Sequence, residues 1–142
     1  NRANSPVNGN RMPFIARDLV KDMIAKADEA IASGKNGASL RFGHESIVLP
    51  LACMLEINDI NLSTDDLDNL HLNWQSFDII PKACNVQLIF FRNASGDILV
   101  KALYNEREAK LPVETDQAPY YRWSDLKKYY EAKVATPVDW KN

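Results

Sequence analysis

Long runs of apolar residues are missing from this chain of 142 residues. No window approaches the roughly 20 consecutive apolar residues that a membrane-spanning helix needs. The first ten residues are polar and lack the apolar stretch of a secretion signal. The sequence therefore predicts no membrane span.

An excess of positive charge is also missing, because the formal net charge is -2 and no sustained basic run occurs. Nucleic-acid-binding proteins normally carry a basic patch, so we expect no nucleic-acid partner. The sequence contains no glycine-rich phosphate loop, no Gly-x-Ser-x-Gly turn and no His-Glu-x-x-His motif. The usual signatures of nucleotide sites, α/β-hydrolases and zinc proteases are therefore absent from it.

Cysteine and histidine are scarce, with two of each. Cys53 and Cys84 lie among apolar neighbours, which favours buried thiols over a single disulfide, the alternative that the sequence leaves open. His71 lies between two leucines and has no metal-ligand spacing to His44, a cysteine or a carboxylate, so we interpret it as structural. We expect neither a metal nor a cofactor.

Apolar residues make up 46% of the chain and charged residues 25%, which is typical of a globular domain with a real core. We expect an irregular segment over residues 1–12 and one α/β domain over 13–142, with helices packed on a mixed sheet. The Asp-rich stretch 63–70 lacks the glycine and glutamate of a calcium loop, so we interpret it as a capped turn with a short helix. The other predicted elements are an amphipathic helix from Pro13 to about Gly34, an internal strand Ser39 to Phe42, a helix that starts between His44 and Ile47 and runs to Ile57, a hairpin of Asn85 to Arg92 with Ile98 to Tyr104, and a helix from Ser124 to about Ala132.

The stretch 40–46 is the most informative part of the sequence. A strand that breaks at Gly43 and presents His44 and Glu45 before an apolar helix can bind an anion and move a proton. A simpler alternative is that Glu45 only stabilises the dipole of the following helix. Arg41 has the opposite strand parity to His44, so it can pair with a carboxylate as easily as it can face the site.

The run from Leu40 to Leu51 resembles the C-terminal motif of the histidine acid phosphatases, especially the branch of phytases and multiple inositol polyphosphate phosphatases. In that family a strand ends in Phe-Gly-His followed by an acid, and a helix with Leu-Pro-Leu comes next. The helix before the motif, and the hairpin and final helix after it, come in the family's order. The resemblance covers most of the chain from Pro13 onward and implies a histidine-phosphatase-like α/β fold.

The resemblance implies two-step phosphoryl transfer through a phosphohistidine. By position, His44 resembles the family's phosphate-binding histidine and Glu45 its proton donor. The family's nucleophile lies in an Arg-His-Gly-x-Arg-x-Pro signature that does not occur in these residues. We therefore expect the C-terminal part of a longer enzyme, inactive alone, whose partners are the missing N-terminal part and a small-molecule phosphate ester. Family members are usually exported, which implies a periplasmic or secreted location.

One departure from the family concerns the acid. Family members have His-Asp or His-Ala-Glu, whereas here Glu45 follows His44 directly and Ser46 occupies the later position. This departure, with the absent nucleophile, keeps a second hypothesis open. The chain is then a non-catalytic phosphate-binding or interaction module with a degenerate phosphatase-like fold.

Overall fold

A computed structural model describes residues 11–61, 66 and 68–140. Helices pack on one face of an open, four-stranded antiparallel sheet. The helices are α1 (Arg17–Ser33), α2 (Glu45–Met54), α3 (Leu70–Asn73), α4 (Ser76–Ile79) and α5 (Trp123–Ala135), with 3₁₀ turns at Met12–Ala16 and Ile57–Asp59. The strands are β1 (Val86–Arg92), β2 (Ile98–Tyr104), β3 (Arg107–Ala109) and β4 (Tyr120–Arg122).

The first long helix agrees with its predicted bounds. Pro13 lies at the start of the 3₁₀ turn that leads into α1, where a missing backbone N–H costs little. Val20, Ile24 and Ala27 form the buried side of α1. The helix ends at Gly34, whose φ of +63° is the left-handed conformation that favours glycine. The prediction of an amphipathic helix from Pro13 to about Gly34 is confirmed.

The second predicted helix also forms, and it starts within the predicted range of His44 to Ile47 but ends before the predicted Ile57. It begins at Glu45 and ends at Met54, after which Glu56 adopts a left-handed φ of +54°. Pro50 is the sixth residue of α2, so the carbonyl of Ser46 loses its helical partner. Ser46 is exposed, and water can satisfy that carbonyl.

The predicted hairpin is confirmed. β1 and β2 pair in the register Val86↔Tyr104 to Arg92↔Ile98, and β2 also pairs with β3 and β4. The prediction of a mixed sheet was wrong for the described strands, because tight turns and short loops join them and every pairing is antiparallel. The final helix, α5, starts one residue before the predicted Ser124.

The internal strand predicted at Ser39 to Phe42 was wrong for the part of the chain that the structure describes. Residues 35–44 have no regular secondary structure, and all are exposed. Leu40 is 75% and Phe42 93% exposed. A strand exists only through hydrogen bonds to a neighbour, and none of the described strands pairs with this segment.

Two expectations fall largely outside the described residues: the irregular N-terminal segment and the short helix near residues 63–70. Cys53 and Cys84 are both thiols rather than a disulfide, as the apolar context favoured. In the ranges that the structure describes, none of the helices has the length and apolar character needed to cross a bilayer.

Candidate functional site

The candidate site lies where the exposed segment enters α2. His44 is the N-cap residue, with an extended backbone at φ −94° and ψ 166°, and Glu45 is the first residue of the ten-residue helix. The carbonyl of His44 accepts hydrogen bonds from the N–H groups of Ile47 at 3.0 Å and Val48 at 3.2 Å. The N–H groups of Glu45 and Ser46 precede the first helical hydrogen bond, as anion-binding helix termini require.

Both functional candidates are open to solvent. The side chains of His44, Glu45 and Ser46 are all exposed, and in the described part of the chain the His44 side chain makes no capping hydrogen bond. An imidazole and a carboxyl are therefore available to a ligand at the positive end of the helix dipole. Glu45 also lies in the first turn of α2, where a carboxylate stabilises the helix dipole. The alternative that Glu45 only stabilises this dipole is therefore compatible with its position.

Gly43 is the residue that permits the tight entry into α2. A Cβ built on Gly43 would lie 2.8 Å from Cγ2 of Ile47, a methyl group on the β-branched carbon. Ile47 packs against the core, so it has little room to move away. A side chain at position 43 would therefore clash with Ile47, which explains why glycine fits at this position of the Phe-Gly-His run.

The sequence allowed Arg41 either to pair with a carboxylate or to face the site, and in the structure it pairs with a carboxylate. Its Nε donates a hydrogen bond to Oδ2 of Asp22 at 3.1 Å, and its Nη2 donates to the same oxygen. Its Nη1 donates to Oγ of Ser39 at 3.2 Å. The guanidinium therefore faces α1 and ties the exposed segment to that helix.

Cys84 is a neighbour of the site that sequence reasoning missed. Burial raises the pKa of the Cys84 thiol, and the nearby carboxylate of Glu45 raises it further. Cys84 belongs to a turn closed by its N–H, which donates to the carbonyl of Pro81 at 3.1 Å. No signal in the sequence brings this turn near the start of α2, because their proximity depends on how distant segments fold together.

His71 does not join the site. It lies on α3, exposed, with its Nδ1 3.0 Å from the carbonyl oxygen of Asp68. Among residues 11–61, 66 and 68–140, no group of three or more histidine, cysteine, aspartate or glutamate side chains is placed to hold a metal ion.

A separate open depression of about 300 Å³ lies near β4. Its lining consists of Glu114, Thr115, Asp116, Arg122 and Asp125. Three carboxylates against one guanidinium repel a phosphate, so this depression is a poor anion site. The start of α2 remains the better place for one.

No protein-family model matches this chain, and no curated protein matches it. The interpretation of residues 40–51 as a ligand site therefore rests on their sequence and on their place at the exposed start of α2.

Proposed function

We propose that this chain is the C-terminal part of a phosphomonoesterase that hydrolyses inositol phosphates or other organic phosphate esters. The reaction passes through a phosphohistidine whose histidine lies on upstream sequence. The observation that carries the proposal is the placement of His44 and Glu45, side by side and exposed, at the N-terminus of α2 directly after Phe-Gly.

The chemistry divides between the two side chains. The imidazole of His44 and the first N–H groups of α2 hold oxygens of the phosphoryl group, where negative charge is stabilised by the helix terminus. The carboxyl of Glu45 donates its proton to the departing alkoxide, which is a poor leaving group otherwise. A carboxyl beside a phosphate dianion holds its proton more tightly, which keeps the acid ready for this step.

The exposed segment 35–44 supports the proposal that further sheet strands come from upstream sequence. Leu40 and Phe42 alternate with Ser39 and Arg41, as in a strand with one apolar face, yet both apolar side chains are exposed. β1 also lies at an edge of the described sheet. Backbone groups on an open edge and on an extended segment are suited to pairing with additional strands.

The test is Glu45→Gln in the full-length protein. We expect turnover of an alkyl phosphate to fall by about 10²-fold or more, while an aryl phosphate is largely spared because its leaving group needs no proton. Asp18→Asn is the matched control, since Asp18 is also a first-turn acid, at the start of α1. Equal and small losses on both substrates would contradict the role of Glu45.

The second candidate, a non-catalytic phosphate-binding module, is favoured by a different observation. The residues from Asn1 to Asn142 contain no Arg-His-Gly signature. Wild-type full-length protein without turnover, together with a phosphate-dependent shift of the His44 ring resonances in NMR, would support this module. Turnover by the wild-type protein that falls in Glu45→Gln for an alkyl phosphate, while that of an aryl phosphate is largely spared, would support the enzyme.

A further inference from the structure

The segment that carries the candidate site is weakly held by packing. Residues 35–44 connect Gly34, at the end of α1, to Glu45, at the start of α2, and each of them is exposed. Leu40 and Phe42, the large apolar side chains of this segment, do not anchor it, because they are 75% and 93% exposed. The backbone of His44 and Glu45 is held on one side by α2, through the hydrogen bonds to the His44 carbonyl, so on the other side it depends on polar contacts of this segment.

Arg41 makes such a contact. Two of its N–H groups meet one carboxylate oxygen of Asp22, in the first half of α1, and a third meets Ser39 within the segment. The side chains of Arg41 and Asp22 are 32% and 51% exposed, so water weakens the pair without removing it. Charge-assisted bonds from one planar guanidinium also fix its direction.

We propose that the ion pair of Asp22 and Arg41 is a positioning device for His44 and Glu45, an inference that rests on the proposed phosphatase function. Arg41 is three residues before His44, and Gly43 lies between them with no side chain to restrict the backbone. Holding Arg41 on α1 limits the directions from which the chain enters α2. Neither Asp22 nor Arg41 touches the phosphate, and both act through the two site residues.

The alternative role of Arg41, as a direct phosphate ligand, makes different predictions. If Arg41 binds the phosphate, Arg41→Ala removes that contact, whereas Asp22→Ala leaves Arg41 in place and only frees it from its partner. The activities of the two variants then differ strongly. A positioning pair is broken equally by either change. The charge-reversed double variant Asp22→Arg with Arg41→Asp separates the two roles, because it restores a pair and removes a ligand.

The experiment measures kcat and KM for an alkyl phosphate in the full-length protein. We expect Asp22→Ala and Arg41→Ala each to lower kcat about 5- to 10-fold with KM little changed, because misplaced catalytic groups slow the reaction step. The double alanine variant should lose no more than either single variant, and the charge-reversed variant should recover most of the rate. Asp18→Ala, which breaks the pair with Lys21 on the same helix, is the matched control and should leave kcat unchanged.

Two kinetic outcomes would overturn the proposal. Arg41→Ala with a strongly raised KM, against a near-normal Asp22→Ala, would identify Arg41 as a ligand. Normal kcat in both variants would show that the pair positions nothing.

Trypsin cleavage after Arg41 tests the anchoring without using activity. Asp22→Ala should accelerate that cleavage about fivefold relative to Asp18→Ala, because the arginine is released from α1. Unchanged cleavage would contradict the anchor. If the wild-type protein shows no turnover and Asp22→Ala still accelerates cleavage, the proposed phosphatase function is refuted and the anchor is retained.

Discussion

Gly43 illustrates how one missing side chain shapes the candidate site. A Cβ at this position would lie 2.8 Å from Cγ2 of Ile47, which is shorter than any ordinary van der Waals contact. A larger residue at position 43 must therefore displace either Ile47 or the entry of the segment into α2. Because His44 and Glu45 follow directly, that displacement reaches the site.

We expect Gly43→Ala to lower the free energy of unfolding by about 1–3 kcal/mol, the usual cost of overpacking. Gly37→Ala is the matched control in the same segment, since nothing lies within 4 Å of its Cβ position. Adding Ile47→Ala to Gly43→Ala should cost less than the sum of the two single changes. Urea unfolding measures the wild-type protein and these four variants, and a strictly additive double variant would contradict the clash.

At the same scale, the sequence predicted that His44 and Glu45 stand at the start of a helix, but it did not predict their surroundings. Their position follows from a glycine break before an apolar helix, which is a local pattern. The partner of Arg41 is 19 residues away, on α1, and the charge of Glu45 acts on Cys84, which is 39 residues further along the chain. Contacts between side chains on distant segments leave no periodicity for a sequence to show.

At the scale of elements, α1 and α5 are joined by a polar clamp around Asp28. The Asp28 carboxylate accepts hydrogen bonds from Nε1 of Trp123 at 3.0 Å and from Nζ of Lys127 at 2.6 Å. The hydrogen bond from Lys127 lowers the pKa of Asp28, and the bond from Trp123 lowers it as well. Trp123 is itself buried in the core, so its indole N–H depends on this acceptor.

We expect Asp28→Ala to lower the free energy of unfolding by about 1 kcal/mol at neutral pH, because the indole N–H loses its acceptor while water partly replaces the exposed ion pair. Asp28→Asn keeps an acceptor for Trp123 and should lose less. Because the pKa of Asp28 is lower in the folded protein than its value near 4 in the unfolded chain, the Asp28 carboxylate stabilises the fold above about pH 4. The stability lost in Asp28→Ala should therefore shrink as the pH falls below about 4. Urea unfolding at pH 7 and pH 3 checks this.

The control for that clamp is Asp18→Ala. Asp18 pairs with Lys21, but its side chain is 92% exposed, so we expect a change within about 0.5 kcal/mol. A loss at Asp18 as large as that at Asp28 would indicate a general charge effect rather than a clamp.

Elements with a local signal were predictable, and elements that need a partner were not. The hairpin and the helices α1 and α5 follow from turn residues and from the spacing of apolar residues. The strand expected at Ser39 to Phe42 failed because pairing, and not the apolar pattern, makes a strand. β3 and β4 have three residues each, too few to carry a pattern.

At the scale of the whole molecule, three tyrosine hydroxyls connect the layers. The hydroxyl of Tyr104 on β2 donates to the carbonyl of Ile79 on α4. From α5, the hydroxyl of Tyr129 donates to the carboxylate of Glu56, and that of Tyr130 donates to the carbonyl of Leu55 at 2.9 Å. These three hydrogen bonds join the sheet to α4, and α5 to the residues after α2. Each requires that the tyrosine hydroxyl keep its proton.

Burial is the largest cause of a raised pKa at all three tyrosines, reaching about 12 at Tyr104 and at Tyr129, with Tyr130 raised further still. The Glu56 carboxylate adds to the shift at Tyr129 by accepting the phenolic proton in a hydrogen bond. In the unfolded chain the tyrosine pKa is near 10, so as the pH rises the unfolded chain releases these protons at a lower pH than the folded protein does. The stabilisation is therefore complete below pH 10 and is lost as the pH rises toward 12.

We expect the free energy of unfolding to fall steeply between about pH 10 and pH 12. The double variant Tyr104→Phe with Tyr129→Phe should be less stable at pH 8, by about 1 kcal/mol for each hydrogen bond lost. Its stability should then fall less steeply, because it releases fewer protons on unfolding, so that the two proteins reach equal stability at about pH 10.7. Urea unfolding across this range, with tyrosinate absorbance recorded in parallel, measures both slopes, and parallel slopes would contradict the assignment of the protons to these hydroxyls.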